Sequence, residues 1–134
     1  MAKRLPLEGI RVIDMTVVWA GPFSTVLLSD MGAEVIRVES LARPDPNTRG
    51  QAILESNRGA TGGGYPGSYP GPTPWNRNSN FNSTGRNKKS VTMDIMTPEG
   101  HAAFLRLVQN CDVFIENNVP DVIERLNITW DVLG

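Results

Sequence analysis

The stretch that decides the fold runs from residue 10 to residue 38. It opens as Ile10-Arg11-Val12-Ile13-Asp14-Met15-Thr16-Val17-Val18 and turns through Trp19-Ala20-Gly21-Pro22. It closes on Glu34-Val35-Ile36-Arg37-Val38. The first segment follows Gly9 and is rich in β-branched residues, as a strand buried in a parallel sheet requires. Gly21 suits a tight turn and Pro22 suits the first helical position. Phe23, Val26, Leu27 and Met31 then recur as one helical face, and Gly32 is placed to end the helix. Glu34–Val38 reads as a second short strand. The unit is a strand–helix–strand crossover, expected to be right-handed and parallel.

Downstream, Ser90-Val91-Thr92-Met93-Asp94 alternates as a strand. Thr97-Pro98-Glu99 carries the signals of a helix start: a Thr cap, Pro at the first position and an acid in the first turn. Phe104, Leu107, Val108 and Cys111 continue that helix at i, i+3, i+4 and i+7, with His101 and Arg106 off the stripe. Asp112–Glu116 reads as a further strand. Pro120 opens a short helix through Val122, Ile123 and Leu126, and Thr129 is placed to cap a last turn, Trp130–Leu133. The alternation predicts an α/β fold with a mostly parallel sheet and flanking helices. Ligands of such sheets bind at the carboxyl ends of the strands. Those ends are Val18–Gly21, Val38-Glu39, Asp94–Met96 and Glu116–Asn118, expected to converge on one edge.

Residues 41–86 differ in character. They hold eight of the 13 glycines, six of the 10 prolines and six asparagines. Periodicity is lost there except for a helical turn near Ala52–Glu55. A loop this long is either a lid or partner-binding loop or a partly disordered segment. Tyr65, Tyr69, Trp75 and Phe81 point to packing against something.

The chain has 134 residues, 40% hydrophobic and 20% charged, which is enough for one domain. Thirteen basic against 14 acidic residues give a net charge of -1, which argues against nucleic-acid binding. No apolar run approaches the ~18–20 residues that cross a bilayer, and no secretory leader is evident, so a soluble, cytoplasmic protein is expected. The sequons at Asn82 and Asn127 are then chance. Single Cys111 excludes an intrachain disulfide, and one histidine, His101, leaves metal and Ser-His-Asp sites unsupported.

The turn at Ala20-Gly21-Pro22 reads either as an anion site at a helix N-terminus or as a tight connection. No Gly-x-Gly-x-x-Gly and no Walker lysine is present, which weighs against NAD and P-loop nucleotides. Asn87-Lys88-Lys89-Ser90, Arg37 and Arg125 are cations at element ends, either phosphate partners or ordinary surface charges. Asp14, Asp30, Glu34, Glu39, Asp94 and Glu116 are scattered, and no pair has acid–base spacing.

Four blocks nevertheless resemble one family in order and spacing. They are Pro6–Asp14 with Ala20-Gly21-Pro22-Phe23, then Met31–Glu39, then Asn87–Asp94 running into Thr97–Gly100, and finally Asp112–Asn117 with Pro120 and Glu124-Arg125-Leu126. The sequence is similar to the class III CoA-transferases, the CaiB/BaiF family, which includes formyl-CoA transferase, carnitine CoA-transferase and the α-methylacyl-CoA racemases. The resemblance implies a Rossmann-like fold in which residues 1–134 form the N-terminal part of a larger CoA-binding domain. It further implies transfer of CoA between an acyl-CoA and a free carboxylic acid through an aspartyl anhydride and thioester, in an interlocked homodimer without a metal. The alternatives are an α-methylacyl-CoA racemase or other CoA-dependent isomerase, and a non-catalytic CoA-binding or assembly module.

By matching position, the resemblance implies CoA contacts at Trp19 and Ala20, at Met93, Asp94, Ile95 and Met96, and at Asn117, Asn118 and Val119. Arg125 is the implied phosphate partner, with Arg37 and Lys88 or Lys89 as additional ones. Trp19 stands where formyl-CoA transferase has a smaller polar residue, and Asn118 where it has an aromatic one. The family's nucleophilic aspartate is expected beyond Gly134, so the segment alone is expected to be inactive.

Overall fold

The computed structural model describes residues 4–45, 49 and 64–134. Four strands form the sheet: β1 (Arg11–Asp14), β2 (Glu34–Glu39), β3 (Lys89–Thr92) and β4 (Val113–Ile115). All pairs are parallel and the spatial order is β3-β2-β1-β4. The chain steps outward from β1 through β2 to β3, then returns to the other side of β1. That return makes the β1–β4 boundary a topological switch point, where open α/β sheets bind ligands. Six α-helices and a short 3₁₀ helix at Pro66–Ser68 complete the described fold: α1 (Ala20–Asp30), α2 (Pro74–Arg77), α3 (Ser79–Gly85), α4 (Pro98–Val108), α5 (Pro120–Arg125) and α6 (Trp130–Leu133).

Alternation along β1 builds two cores. Ile13 joins Ile95, Phe104 and Ile128 on one face. Val12 joins Ala33 and Val35 on the other, backed by Leu7, Ile10 and Leu28. Phe104 is fully buried and meets Phe114 edge-on at 5.7 Å between ring centroids. The start of α4 is as its sequence predicts, with the Thr97 hydroxyl accepting from the Gly100 amide at 3.1 Å. Gly32 ends α1 at φ 102, and a Cβ there would lie 2.6 Å from that of Leu5.

Several expectations are corrected. Helix α1 starts at Ala20, two residues before Pro22, because the Phe23 amide already donates to the Trp19 carbonyl at 3.0 Å. Its buried face is Pro22, Thr25, Val26 and Ser29, whereas Phe23, Leu27 and Met31 are exposed. Within residues 41–86, α2 and α3 are regular, with the Asn78 side chain capping α3 by accepting from Asn80 and Phe81 amides at 2.9 and 3.2 Å. Tyr65 is buried there, while Tyr69 and Trp75 are exposed. The turn expected near Ala52–Glu55 lies outside the described residues. Thr129 precedes α6 without a side-chain cap bond. The His101 ring nitrogen donates to the Asn127 carbonyl at 3.0 Å, tying α4 to the end of α5. Burial and the nearby Asp112 charge raise the Cys111 thiol, so it stays protonated.

The polar face of α1 covers a buried ion pair. Asp14 is fully buried, and Lys88 donates to its Oδ2 at 2.8 Å from a side chain that is 2% exposed. Lys88 also donates to the Pro22 carbonyl at 2.8 Å and to Thr25 Oγ1 at 2.7 Å. Thr16 gives Asp14 Oδ1 both its amide, at 2.9 Å, and its hydroxyl, at 2.5 Å. Thr25 Oγ1 supplies a further bond to Oδ2 at 2.7 Å. Every charge taken from water is thus met by a partner, which is the condition for tolerating burial.

Burial alone raises the Asp14 carboxyl, but the Lys88 charge and the bonds from Lys88, Thr16 and Thr25 outweigh it and hold the group below its ordinary 3.8. Burial lowers the Lys88 ammonium; Asp14 opposes this, and Arg37 and Arg86 add to it. For a depressed carboxylate, the linked stability is full above the unfolded value and is lost as pH falls through the folded one. Urea unfolding of the chain should therefore weaken steeply only below about pH 4. Asp14→Asn should flatten that acid limb. An acid limb as steep in the variant as in the parent would sink the assignment.

Candidate functional site

The carboxyl ends of the strands open into one cleft of about 880 Å³. The β1–α1 turn contributes Met15, Thr16, Val17 and Val18. The end of β2 and the following segment contribute Arg37 to Ser40 and Ala42 to Asp45. Met93 to Met96 follow β3, Asn118 follows β4, and Val122, Arg125 and Leu126 come from α5 and its end. The convergence of strand ends drawn from the sequence is therefore present.

Short polar bonds shape the walls. Asp94 Oδ1 accepts from the Met96 amide at 3.0 Å, and its carbonyl accepts from the Thr97 amide and hydroxyl at 3.1 and 2.9 Å. Glu116 Oε2 accepts from the Asn118 amide at 2.6 Å. At the end of β2, Glu39 accepts from Arg49 Nε at 2.6 Å and from the Ser90 hydroxyl, with Arg37 Nε 3.9 Å away. Arg49 stacks 3.8 Å above the Phe81 ring and donates to Asn76 at 2.6 Å, tying β2 to α2 and α3.

Of the residues implied by the resemblance, Arg37, Met93, Asp94, Ile95, Met96, Asn118 and Arg125 line the cleft. The others do not. Trp19 caps α1 and is 56% exposed, Ala20 is the first residue of that helix, and Val119 caps α5 in the open. Asn117 turns to the back of the β1–α1 turn, where its amide holds Val17. Lys88 is buried under α1, where its ammonium has three acceptors. Arg37 lines the cleft but is 4% exposed and paired with Asp45 at 3.0 Å.

Two further residues line the cleft that nothing in the sequence singled out: Arg43, an exposed cation, and Met15. Arg43 lies in the irregular segment, where periodicity carries no information, and Met15 lies inside the run read as the first strand, where nothing in the sequence sets it apart from its apolar neighbours.

A family model described as CoA-transferase family III matches residues 7–134. The chain belongs to that family. It is 36% identical over 132 residues to the succinyl-CoA–L-malate CoA-transferase alpha subunit of Chloroflexus aurantiacus, covering 98% of this chain and 26% of that protein. It is 39% identical over 126 residues to succinyl-CoA:glutarate CoA-transferase of Mus musculus, covering 94% and 24%. The crystal structure of a CaiB/BaiF family protein from Brucella suis superposes with a TM-score of 0.71 at 29% identity, covering 98% of this chain and 30% of that one. The chain spans about a quarter of the length of the curated relatives it matches. As a family III chain, it has the all-parallel sheet with flanking helices that the α/β reading anticipated. Among the described residues, no cluster of His, Cys, Asp or Glu is arranged to hold a metal, and no helix is long and apolar enough to cross a membrane.

Proposed function

We propose that this chain forms a wall of the coenzyme A site of a CoA-transferase that moves CoA between an acyl-CoA and a free carboxylic acid. The observation that carries the reading is the single cleft at the strand ends, which joins an apolar methionine surface to the exposed cations Arg43 and Arg125. Guanidinium groups suit phosphate oxygens, because two parallel N–H donors match two acceptors. Met15, Met93 and Met96 offer polarisable surface to a planar base. The relatives named above are transferases, which favours transfer over racemisation.

The carboxylates of the cleft have structural work: Asp94 shapes its own turn, Glu39 holds Arg49, and Asp45 pairs with Arg37. An aspartyl anhydride therefore has no evident nucleophile among them, and the reading holds that these 134 residues bind CoA without exchanging it. The homodimer and the cytoplasmic setting belong to the same proposal, and the homodimer rests on the family alone.

Calorimetric titration tests it. CoA should bind the chain, and Arg125→Ala and Arg43→Ala should each weaken binding about tenfold, the loss of one charge-assisted contact. NAD at equal concentration should give no heat. Absence of CoA binding at millimolar concentration, or affinity unchanged in both variants, would overturn the reading.

A further inference from the structure

The β1–α1 turn is held from behind by a side chain that imitates a strand. The β1–β4 ladder ends with the Met15 amide donating to the Ile115 carbonyl at 2.9 Å. Two residues further, no backbone partner continues it. Instead the Val17 amide donates to Asn117 Oδ1 at 2.8 Å, and Asn117 Nδ2 donates to the Val17 carbonyl at 3.0 Å. The asparagine amide has the donor and acceptor of a peptide group, so it extends the pairing where the strands have already diverged.

The next residue shows why such a hold matters. Val18 adopts φ 72, the left-handed region that a β-branched side chain disfavours. Such a conformation persists only when its neighbours impose it. Here Thr16 is fixed by Asp14, Val17 by Asn117, and the Trp19 carbonyl by the first turn of α1. Val17 and Val18 line the cleft, whereas Asn117 does not.

We propose that Asn117 is a positioning residue that keeps Val18 in its left-handed conformation and so sets the cleft wall at the β1–β4 switch point. The effect on ligand binding rests on the CoA reading given above; the effect on the turn does not. Asn117 is exposed, so its truncation leaves both cores intact.

The experiment is a double-mutant cycle on the 134-residue chain, with CoA affinity and residue-resolved amide exchange as readouts. Asn117→Ala should weaken CoA binding about tenfold and speed exchange of the Val17 amide, leaving exchange in β1 and β2 unchanged. Val18→Gly lets the backbone take the left-handed conformation without strain. In that background Asn117→Ala should cost no more than about threefold. An equal loss in both backgrounds, or none in either, would overturn the proposal. If the parent chain binds no CoA, the CoA reading fails, and exchange decides the rest: a faster Val17 amide in Asn117→Ala supports positioning, and an unchanged one ends it.

Discussion

Replacing Lys88 with methionine should destabilise the fold by about 3–5 kcal/mol, the cost of leaving a buried carboxylate without its counter-charge. The magnitude follows from burial. The Lys88 side chain is 2% exposed and that of Asp14 is fully buried, so water cannot replace the lost ammonium. A pair open to solvent, such as Arg4–Glu8 at 79% and 53% side-chain exposure, contributes at most about 1 kcal/mol. Urea unfolding measures the difference. The double variant Asp14→Asn/Lys88→Met should recover a large part of the loss, because removing both charges removes the uncompensated one. A loss below about 1 kcal/mol in the single variant would mean that the pair is solvated in solution. The double variant also covers the case in which the single one does not fold.

Gly100→Ala should destabilise by about 3 kcal/mol, although alanine is ordinarily the better helix former by nearly 1 kcal/mol. The sign decides between propensity and packing. A Cβ at residue 100 would lie 1.8 Å from the Asp94 carbonyl oxygen and 2.6 Å from its carbon. Both are backbone atoms of the segment that lines the cleft, and that oxygen already accepts from Thr97. Either α4 or residues 94–96 must move. Thermal unfolding reads the stability, and CoA titration should show weaker binding in the same variant. A stabilised Gly100→Ala would show that α4 is free to shift away from the cleft segment.

Much of the fold was legible in short patterns. Gly32 ends α1, Thr97-Pro98 starts α4, and both β1 and β2 lie where β-branched residues cluster, although β1 ends at Asp14, four residues before the β-branched run closes at Val18. Each of these signals concerns residues within about one helical turn of one another. The face of α1 was misread for a physical reason. Its apolar residues Phe23, Leu27 and Met31 sit outside because Thr25 and Pro22 are needed inside, over Asp14 and Lys88. Hydrophobic periodicity cannot reveal that a helix buries hydroxyl and carbonyl groups around a charge. The short helices α2 and α3 were hidden by the Gly, Pro and Asn content around them.

The site divides in the same way. Met93–Met96, Asn118 and Arg125 follow recognisable strands and helices, so matching positions carried them into the cleft. Asn117 and Lys88 look like surface polar residues in the sequence, and only their partners give them other roles.

The sequence by itself determined the α/β alternation, the cap residues and the family, because local propensity and ordered motifs suffice for these. Tertiary structure alone decided the strand order, the inner face of α1 and the pairing of Asp14 with Lys88, 74 positions away. The reason is that burying a charge, or returning a strand to the far side of β1, depends on contacts between distant segments. Their energies have no counterpart in the neighbouring residues.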